Sequence, residues 1–336
     1  MSPSYAINDN LLHDSSLNML YLYLLKDEAL MKKQLNFTSL AIILSLTIFN
    51  FLNSFAQDSV VKKIPDDILS YFPNELKSKP MRSASAKKLA DGVMYLSAHF
   101  DNLFGDGPVD THWLLIDWKK ANGITLNIAR HENRRECPSL LAKENKALAC
   151  VNGVYHSTVD PSTPYFQLKV DGKMIPSKYP NGEATLAFNA NSEPIIQKFN
   201  KDLLKKYDNV MSCDGVPGYG KPLPDYTDKS PKACKKRAAC RAPRTFAGNN
   251  ITNRITVIGI ADGRQKHSIG VNYVELRYLL EKFGCDPKAL ISMDGGGSTM
   301  MGLRNGDDIT IVNKPSDGSE RRVAESLQIL DSKSKK

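Results

Sequence analysis

Ala289-Leu290-Ile291-Ser292-Met293-Asp294-Gly295-Gly296-Gly297-Ser298-Thr299-Met300-Met301 is the stretch from which the rest of the chain is read. A short apolar run ends in a carboxylate, three glycines and two hydroxyls. Residues 289–293 have the length and the bounding signals of a buried strand. Three consecutive glycines let the backbone take positive φ and let a ligand approach bare N–H groups. Asp294 then stands at a strand end beside those donors and the Ser298 and Thr299 hydroxyls, which suits an anionic group held next to a carboxylate. The same residues also read as a flexible turn between two strands. No Lys follows the glycines, which excludes a nucleotide-type phosphate loop. Met300 stands where a nucleophile elbow needs its second glycine.

The elements before this stretch prepare it. Asn272 can cap a helix over 273–283, Glu275 sits at the capping-box position, and Gly284 and Pro287 end it. Leu276, Leu279, Leu280 and Phe283 share one face at helical spacing, so this is a core helix packed on a sheet. Residues 255–261 read as a strand ending in a second carboxylate turn, Asp262-Gly263-Arg264. Upstream, Pro243-Arg244-Thr245 offers a guanidinium fork, which binds carboxylate or phosphate through two parallel hydrogen bonds. Further strands are expected at 93–100, 113–118, 124–129, 147–151, 185–189, 209–213 and 323–330, with short helices at 136–146 and 201–207. The 147–151 run leads into Asn152-Gly153, a common tight-turn pair that can also present an amide to a sugar or phosphate.

At 336 residues, 41% hydrophobic, the chain can bury one large core or two modest ones. A formal net charge of +9 favours an anionic partner without choosing among nucleic acid, anionic lipid, polysaccharide and phosphorylated sugar. The basic cluster at 232–237 lies in a Pro-rich insertion over 217–242 and has no aromatic within it, so no nucleic acid is expected. Met31-Lys32-Lys33, an uncharged apolar stretch over 35–52 and Ser54-Phe55-Ala56 form a signal-peptide pattern over 31–56, with Gln57 as the mature start. The alternative is an uncleaved anchor, since the stretch approaches the ~20 residues that span a bilayer. Residues 1–30 read as an extension outside the fold, 57–88 as a lead-in, 89–331 as one domain, and 332–336 as a basic tail. In an exported chain six cysteines permit disulfides, and Cys213, Cys234 and Cys240 bracket one irregular stretch, where a bridge is expected. No Cys-x-x-Cys pair occurs and the histidines lack zinc spacing, so no structural zinc is expected.

Five segments in order resemble the phosphodiester glycosidase family. They are Val151-Asn152-Gly153-Val154-Tyr155, Pro243-Arg244-Thr245, Ala261-Asp262-Gly263-Arg264 with its helix, Met293 to Thr299, and Asn313-Lys314-Pro315-Ser316-Asp317-Gly318 with Glu320-Arg321. The similarity covers residues 89–330. Val154, Tyr155 and His156 depart from the second glycine and two aromatics usual in the family, and the 217–242 insertion is also unusual. The resemblance implies an α+β fold, a mixed β-sheet backed by helices in a single domain, with loops converging on one pocket. It implies hydrolysis at a sugar-1-phosphodiester, with a phosphorylated sugar or glycan as substrate, in the periplasm, outside the cell or in the envelope of a bacterium. Asp294 is then the first choice for nucleophile or base and Asp262 the second. Asn152, Gly153, Arg244, Thr245, Gly295, Gly296, Gly297, Ser298, Thr299, Asn313, Ser316 and Arg321 are the expected substrate contacts. No cofactor is expected and no step demands a metal, although a carboxylate-lined site can admit a divalent ion. A non-catalytic module binding envelope polysaccharide or peptidoglycan, and a phosphodiesterase cleaving P–O on the same scaffold, stay open as alternatives.

Export makes a direct prediction. Protein from the envelope fraction should have an intact mass corresponding to a chain that starts at Gln57. A mass that retains 31–56 would identify the apolar stretch as an anchor.

Overall fold

Strands that read as apolar on both faces do so because this fold covers both faces of its main sheet. The structure, a computed structural model, describes residues 64–157, 163–179, 181–216 and 240–335. These belong to the unit Lys63–Lys336. The export signal or anchor, the extension before it and the basic cluster at 232–237 lie outside the described residues. Among the described residues, no helix is long and apolar enough to cross a membrane.

Two short helices, α1 (Asp66–Leu69) and α2 (Asn74–Lys77), precede β1 (Met81–Ala90), β2 (Val93–Phe100), β3 (Val109–Asp117) and β4 (Ile124–Ala129). Then come α3 (Pro138–Glu144), β5 (Ala149–Asn152), β6 (Leu168–Val170), β7 (Lys173–Ile175), β8 (Ala184–Phe188) and β9 (Ile195–Lys198). After α4 (Asp202–Lys206) and β10 (Asn209–Gly215) follow β11 (Arg244–Asn250), β12 (Ile255–Ala261), α5 (Tyr273–Lys282) and β13 (Leu290–Ser292). The chain closes with β14 (Met301–Asn305), β15 (Asp308–Ile311) and β16 (Ser326–Asp331). One sheet of 11 strands runs β1-β2-β3-β12-β11-β13-β10-β6-β7, with β8 and β9 branching at β10. A second, of 5 strands, runs β15-β14-β5-β16-β4.

The expected α+β class with a mixed sheet is corrected here. Strands predominate, helices are few, and every ladder among the described strands is antiparallel. The reason lies in β12–α5–β13, a strand–helix–strand pattern that normally predicts a parallel pair. Both strands pair antiparallel with β11, which lies between them, so they share a direction without touching.

Burial follows from three layers. Leu114, Ile116, Ile258, Ile260 and Ile291 of the large sheet pack between the sheets against Leu126, Ile128, Val151, Leu327 and Ile329 of the small one. On the other face of the large sheet, Trp113, Phe246, Val257 and Leu290 meet Leu276, Leu279 and Leu280 of α5, together with Phe72 and Leu76. The α5 capping box forms as expected: the Asn272 side chain accepts from Glu275 N–H at 2.9 Å, and Asn272 N–H donates back at 2.9 Å. Against the outer face of the small sheet, Ala142 of α3 packs with Cys150 and Met300.

Two stretches were not legible as strands. Residues expected as a lead-in carry α1, α2 and most of β1. The polar run Met81–Ala90 is an edge strand formed by backbone pairing with β2, so it needs little apolar burial. β11 is buried along its whole length despite Thr245, Asn249 and Asn250. Its ladders to β12 and β13 satisfy the backbone, and Asn249 donates to the Pro194 carbonyl at 2.8 Å and accepts from Thr256 at 3.0 Å.

The cysteine expectation is also corrected in part. Cys137, Cys150, Cys213 and Cys285 carry free thiols, and Cys213 faces the core between the sheets. Burial pushes the Cys150 thiol up to about 12. The bracketing bridge therefore excludes Cys213. Cys234 lies outside the described residues.

Gly259 gives the core a sharp test. It sits in β12 between Phe246 of β11 and Trp113 of β3, whose rings meet edge-on at 5.4 Å over it. A Cβ there would stand 2.8 Å from Trp113 Cε3 and closer still to Phe246. Gly259→Ala should destabilise by about 1–3 kcal/mol through overpacking, read as a lowered denaturation midpoint with unchanged slope.

Candidate active site

The strand β13 ends by pointing its successor loop into a cavity of about 300 Å³ lined by Tyr155, Arg244, Arg264, Asp294, Arg321 and the three glycines. Arg241, Ala242 and Cys240 complete the wall. The expected carboxylate and glycines therefore do meet the expected guanidinium, Arg244, which lies 50 residues earlier in the chain.

Each glycine is needed for close approach. Gly296 has φ 63°, in the left-handed region, and opens a single 3-10 turn over Gly296–Ser298. A Cβ on Gly296 would come within 3.1 Å of the Arg264 guanidinium, and one on Gly297 would clash with Asp317 and Arg321. The amide nest is smaller than expected, because Gly296 N–H donates to the Pro243 carbonyl at 2.9 Å. At most the Gly295 and Gly297 amides are left for a ligand.

The arginines differ in how they are held. Arg244 is buried, its guanidinium 4.4 Å over the Tyr273 ring, with Nη2 donating to the Cys240 carbonyl at 2.9 Å. The Arg241 Nε donates to both Glu275 oxygens at 2.9 and 3.0 Å, and Nη1 pairs with Asp106. Glu275 thus serves the helix cap and the pocket wall together. Arg321 is half-exposed, paired with Asp317, and reaches the Ser298 hydroxyl at 3.4 Å. Arg264 is exposed, at φ 59°, a left-handed backbone that aims its side chain over Gly296. Opposite them the Tyr155 hydroxyl lies 3.2 Å from that of Tyr273, which donates to Asp214 at 3.2 Å.

Several expected substrate contacts do not line the cavity. Asn152 and Thr245 are fully buried. Thr245 donates to Asn152 Oδ1 at 2.6 Å, Met300 N–H donates to the same oxygen at 3.2 Å, and Asn152 Nδ2 donates to the Asp294 carbonyl at 2.7 Å. Their polar atoms are occupied in placing Asp294. Gly153 accepts from Asp294 N–H at 3.1 Å and does not line the cavity. Ser298 and Thr299 are buried, and the Ser316 hydroxyl has no hydrogen-bond partner. Asn313 donates to Asp262 Oδ1 at 2.8 Å and accepts from Met301 N–H at 2.9 Å. Asp262, 1% exposed, also accepts from Lys314 N–H at 2.8 Å. It ties loops together and does not line the cavity, unlike Asp294.

Sequence reasoning missed three residues. Arg264 closes the Asp262-Gly263-Arg264 turn, two residues after the carboxylate taken as the candidate. Arg241 stands at the end of the Pro-rich insertion over 217–242, beyond its basic cluster. Glu325 was hidden in an apolar strand run, where one acid among Val323, Ala324 and Leu327 was the available signal. It is fully buried, with Oε1 accepting from Val154 N–H at 2.8 Å and Oε2 without a hydrogen-bond partner. Burial pushes its carboxyl up to about 7; the Val154 N–H and Arg130 pull it down, and the Asp294 charge pushes it up.

Fold and site together give an arginine-walled pocket with one lining carboxylate, carried on a two-sheet β scaffold. The phosphodiester glycosidase family model matches residues 145–330, more than half of the chain, and the chain belongs to that family. This is a hydrolase family acting on phosphorylated glycans. The fold is similar to the catalytic domain of zebrafish N-acetylglucosamine-1-phosphodiester alpha-N-acetylglucosaminidase, auto-inhibited by its pro-peptide, at TM-score 0.54 and 15% identity, covering 79% of this chain and 92% of that one. An exported-protein candidate from Burkholderia pseudomallei aligns at TM-score 0.55 and 14% identity, covering 77% and 99%. A protein from Synechocystis aligns at TM-score 0.50 and 12% identity, covering 76% and 64%. Comparison with curated protein sequences finds no match.

Glu325 makes a pH prediction. Its folded value lies above the ordinary 4.5, so the native state holds a proton that the unfolded chain releases. Its effect on stability is absent below about 4.5 and grows as a penalty up to about pH 7. Relative to the parent, Glu325→Gln should gain about 3 kcal/mol between these limits. Denaturant melts of both proteins across that window check it, and parallel curves would refute it.

Proposed function

We propose that this protein is an exported hydrolase that cleaves sugar-1-phosphodiesters and releases the sugar from a phosphorylated glycan acceptor. The observation that carries the reading is a single carboxylate, Asp294, in a cavity walled by the guanidinium groups of Arg244, Arg264 and Arg321. A carboxylate alone would repel a phosphodiester. The surrounding cations hold the ester while leaving one anionic oxygen for chemistry at the sugar.

The steps follow from these groups. The guanidinium forks and the Gly295 and Gly297 amides bind the phosphate, and their attraction grows as the bond to it breaks and charge collects on its oxygens. The C1–O bond breaks with the electron pair leaving on phosphate. A phosphate is a good leaving group, so strong acid assistance is unnecessary. Asp294 acts as nucleophile or base: water oxygen ends on C1, and its proton passes through the carboxylate to solvent. Tyr155, across the pocket, faces the sugar. The family membership and the neighbour assigned as exported support the reading, and the signal pattern over 31–56 supports export.

Two variants test the assignment. Asp294→Asn should lower turnover by at least about 10²-fold while leaving substrate affinity within a few-fold, because an amide neither attacks nor accepts a proton. Arg264→Ala should lower kcat/KM by about 10²-fold with an unchanged Tm, because it removes one exposed phosphate donor. The assay is sugar release from a panel of sugar-1-phosphodiesters in oxygen-18 water. Label in the sugar supports C–O cleavage, whereas label in the phosphate makes the protein a P–O phosphodiesterase. A folded Asp294→Asn protein with near-normal turnover would sink the catalytic assignment.

A further inference from the structure

Behind the pocket wall, two carboxylates and an imidazole converge. Asp110 on β3, Asp262 after β12 and His267 in the following loop each place one ligand atom within 4.8 Å of the others. His267 Nε2 is 3.5 Å from Asp262 Oδ2 and 3.8 Å from Asp110 Oδ2. That nitrogen is buried and has no hydrogen-bond partner. Both separations exceed the roughly 2.7–3.2 Å of an N–H···O bond. Ligand atoms held at about 2.0–2.2 Å from one ion stand roughly 3.0–3.6 Å apart, so the two His267 separations are near that spacing and the third pair lies within 4.8 Å.

The charge balance is a second, independent observation. Asp262 is 1% exposed and Asp110 is partly buried, yet among the described residues neither has a Lys or Arg ion-pair partner. Their recorded counter-groups are imidazoles, His267 and, at 3.1 Å from Asp110 Oδ1, His99 Nδ1. Two adjacent carboxylates, one fully buried, need a cation. The remaining carboxylate lone pairs are directed by Asn313 Nδ2 and Lys314 N–H on Asp262 and by His99 on Asp110. Such outer partners orient ligating carboxylates in metal sites.

We propose that Asp110, Asp262 and His267 bind one divalent transition-metal ion. The mixed oxygen and nitrogen set suits Zn²⁺ or Mn²⁺ better than Ca²⁺ or Mg²⁺. The ion is structural. It joins β3 to the Asp262 turn and, through Asn313, to Thr299 in the loop that follows Asp294 and to Met301 at the start of β14. The proposal is independent of the reaction assigned above, since none of the three ligands lines the cavity.

The test uses the full chain, stripped with chelator and dialysed, then titrated separately with Zn²⁺, Mn²⁺, Mg²⁺ and Ca²⁺ by calorimetry and thermal melts at pH 7.5. Zn²⁺ or Mn²⁺ should bind one to one and raise Tm. His267→Ala and Asp110→Asn, which spare the more deeply buried Asp262, should each weaken that binding by at least tenfold. Near-ultraviolet dichroism of each stripped variant checks that it folds like the stripped parent. No binding to the stripped parent, or binding and a Tm rise that persist in the folded double variant, would overturn the site. Tight Ca²⁺ or Mg²⁺ binding that survives His267→Ala would overturn the imidazole ligand and with it the proposal.

Discussion

The side-chain amide of Asn152 holds the candidate site together. Asn152 ends β5 of the small sheet. Its oxygen accepts from Thr245 on β11 of the large sheet and from Met300, while its nitrogen donates to the Asp294 carbonyl. One buried amide with its oxygen doubly occupied therefore joins both sheets to the loop carrying the carboxylate. Such a bond is strong because the site is dry, and losing one partner strands the others unsatisfied. The junction fixes the backbone on both sides of the glycine turn, at the Asp294 carbonyl and the Met300 N–H.

Around that junction the pocket separates cations that are locked from those that are presented. Arg241 is neutralised by Asp106 and Glu275, so it builds wall. Arg264 has an exposed side chain and a left-handed backbone that turns it over Gly296. Arg244 combines the two: its stem is buried against Tyr273, and the stacked guanidinium keeps a fixed plane. An anion entering this cavity meets charge already placed, with little left to reorganise. Glu325, directly behind Gly153, is the opposite kind of feature. A Cβ on Gly153 would fall 2.6 Å from its Oε1, so the strand touches a buried acid that the fold keeps in a costly environment.

Much of the fold was legible from local pattern. The strands at 93–100, 124–129 and 255–261 and the capped helix at 273–282 lie where β-branched runs and the Asn272–Glu275 pair put them. The polar edge strand β1 was not legible, because its stability comes from a neighbour's backbone and leaves no apolar signature. The parallel–antiparallel question was not legible either, since nothing local in β12, α5 or β13 says that β11, earlier in the chain, slides between them.

For the site, the sequence alone determined chemical type: a carboxylate followed by three glycines, arginine forks, and motifs in an order that resembles one family. Residue type and spacing suffice for that, because glycine's freedom and guanidinium's fork are properties of the residues themselves. Only the tertiary structure decided roles. It placed the expected contacts Asn152, Thr245 and Asn313 and the second carboxylate Asp262 in buried ties, brought Arg264 forward, and exposed Glu325 as a buried acid. The physical reason is burial: a polar side chain removed from water must satisfy its hydrogen bonds within the protein, and which partners it finds is set by elements remote in sequence.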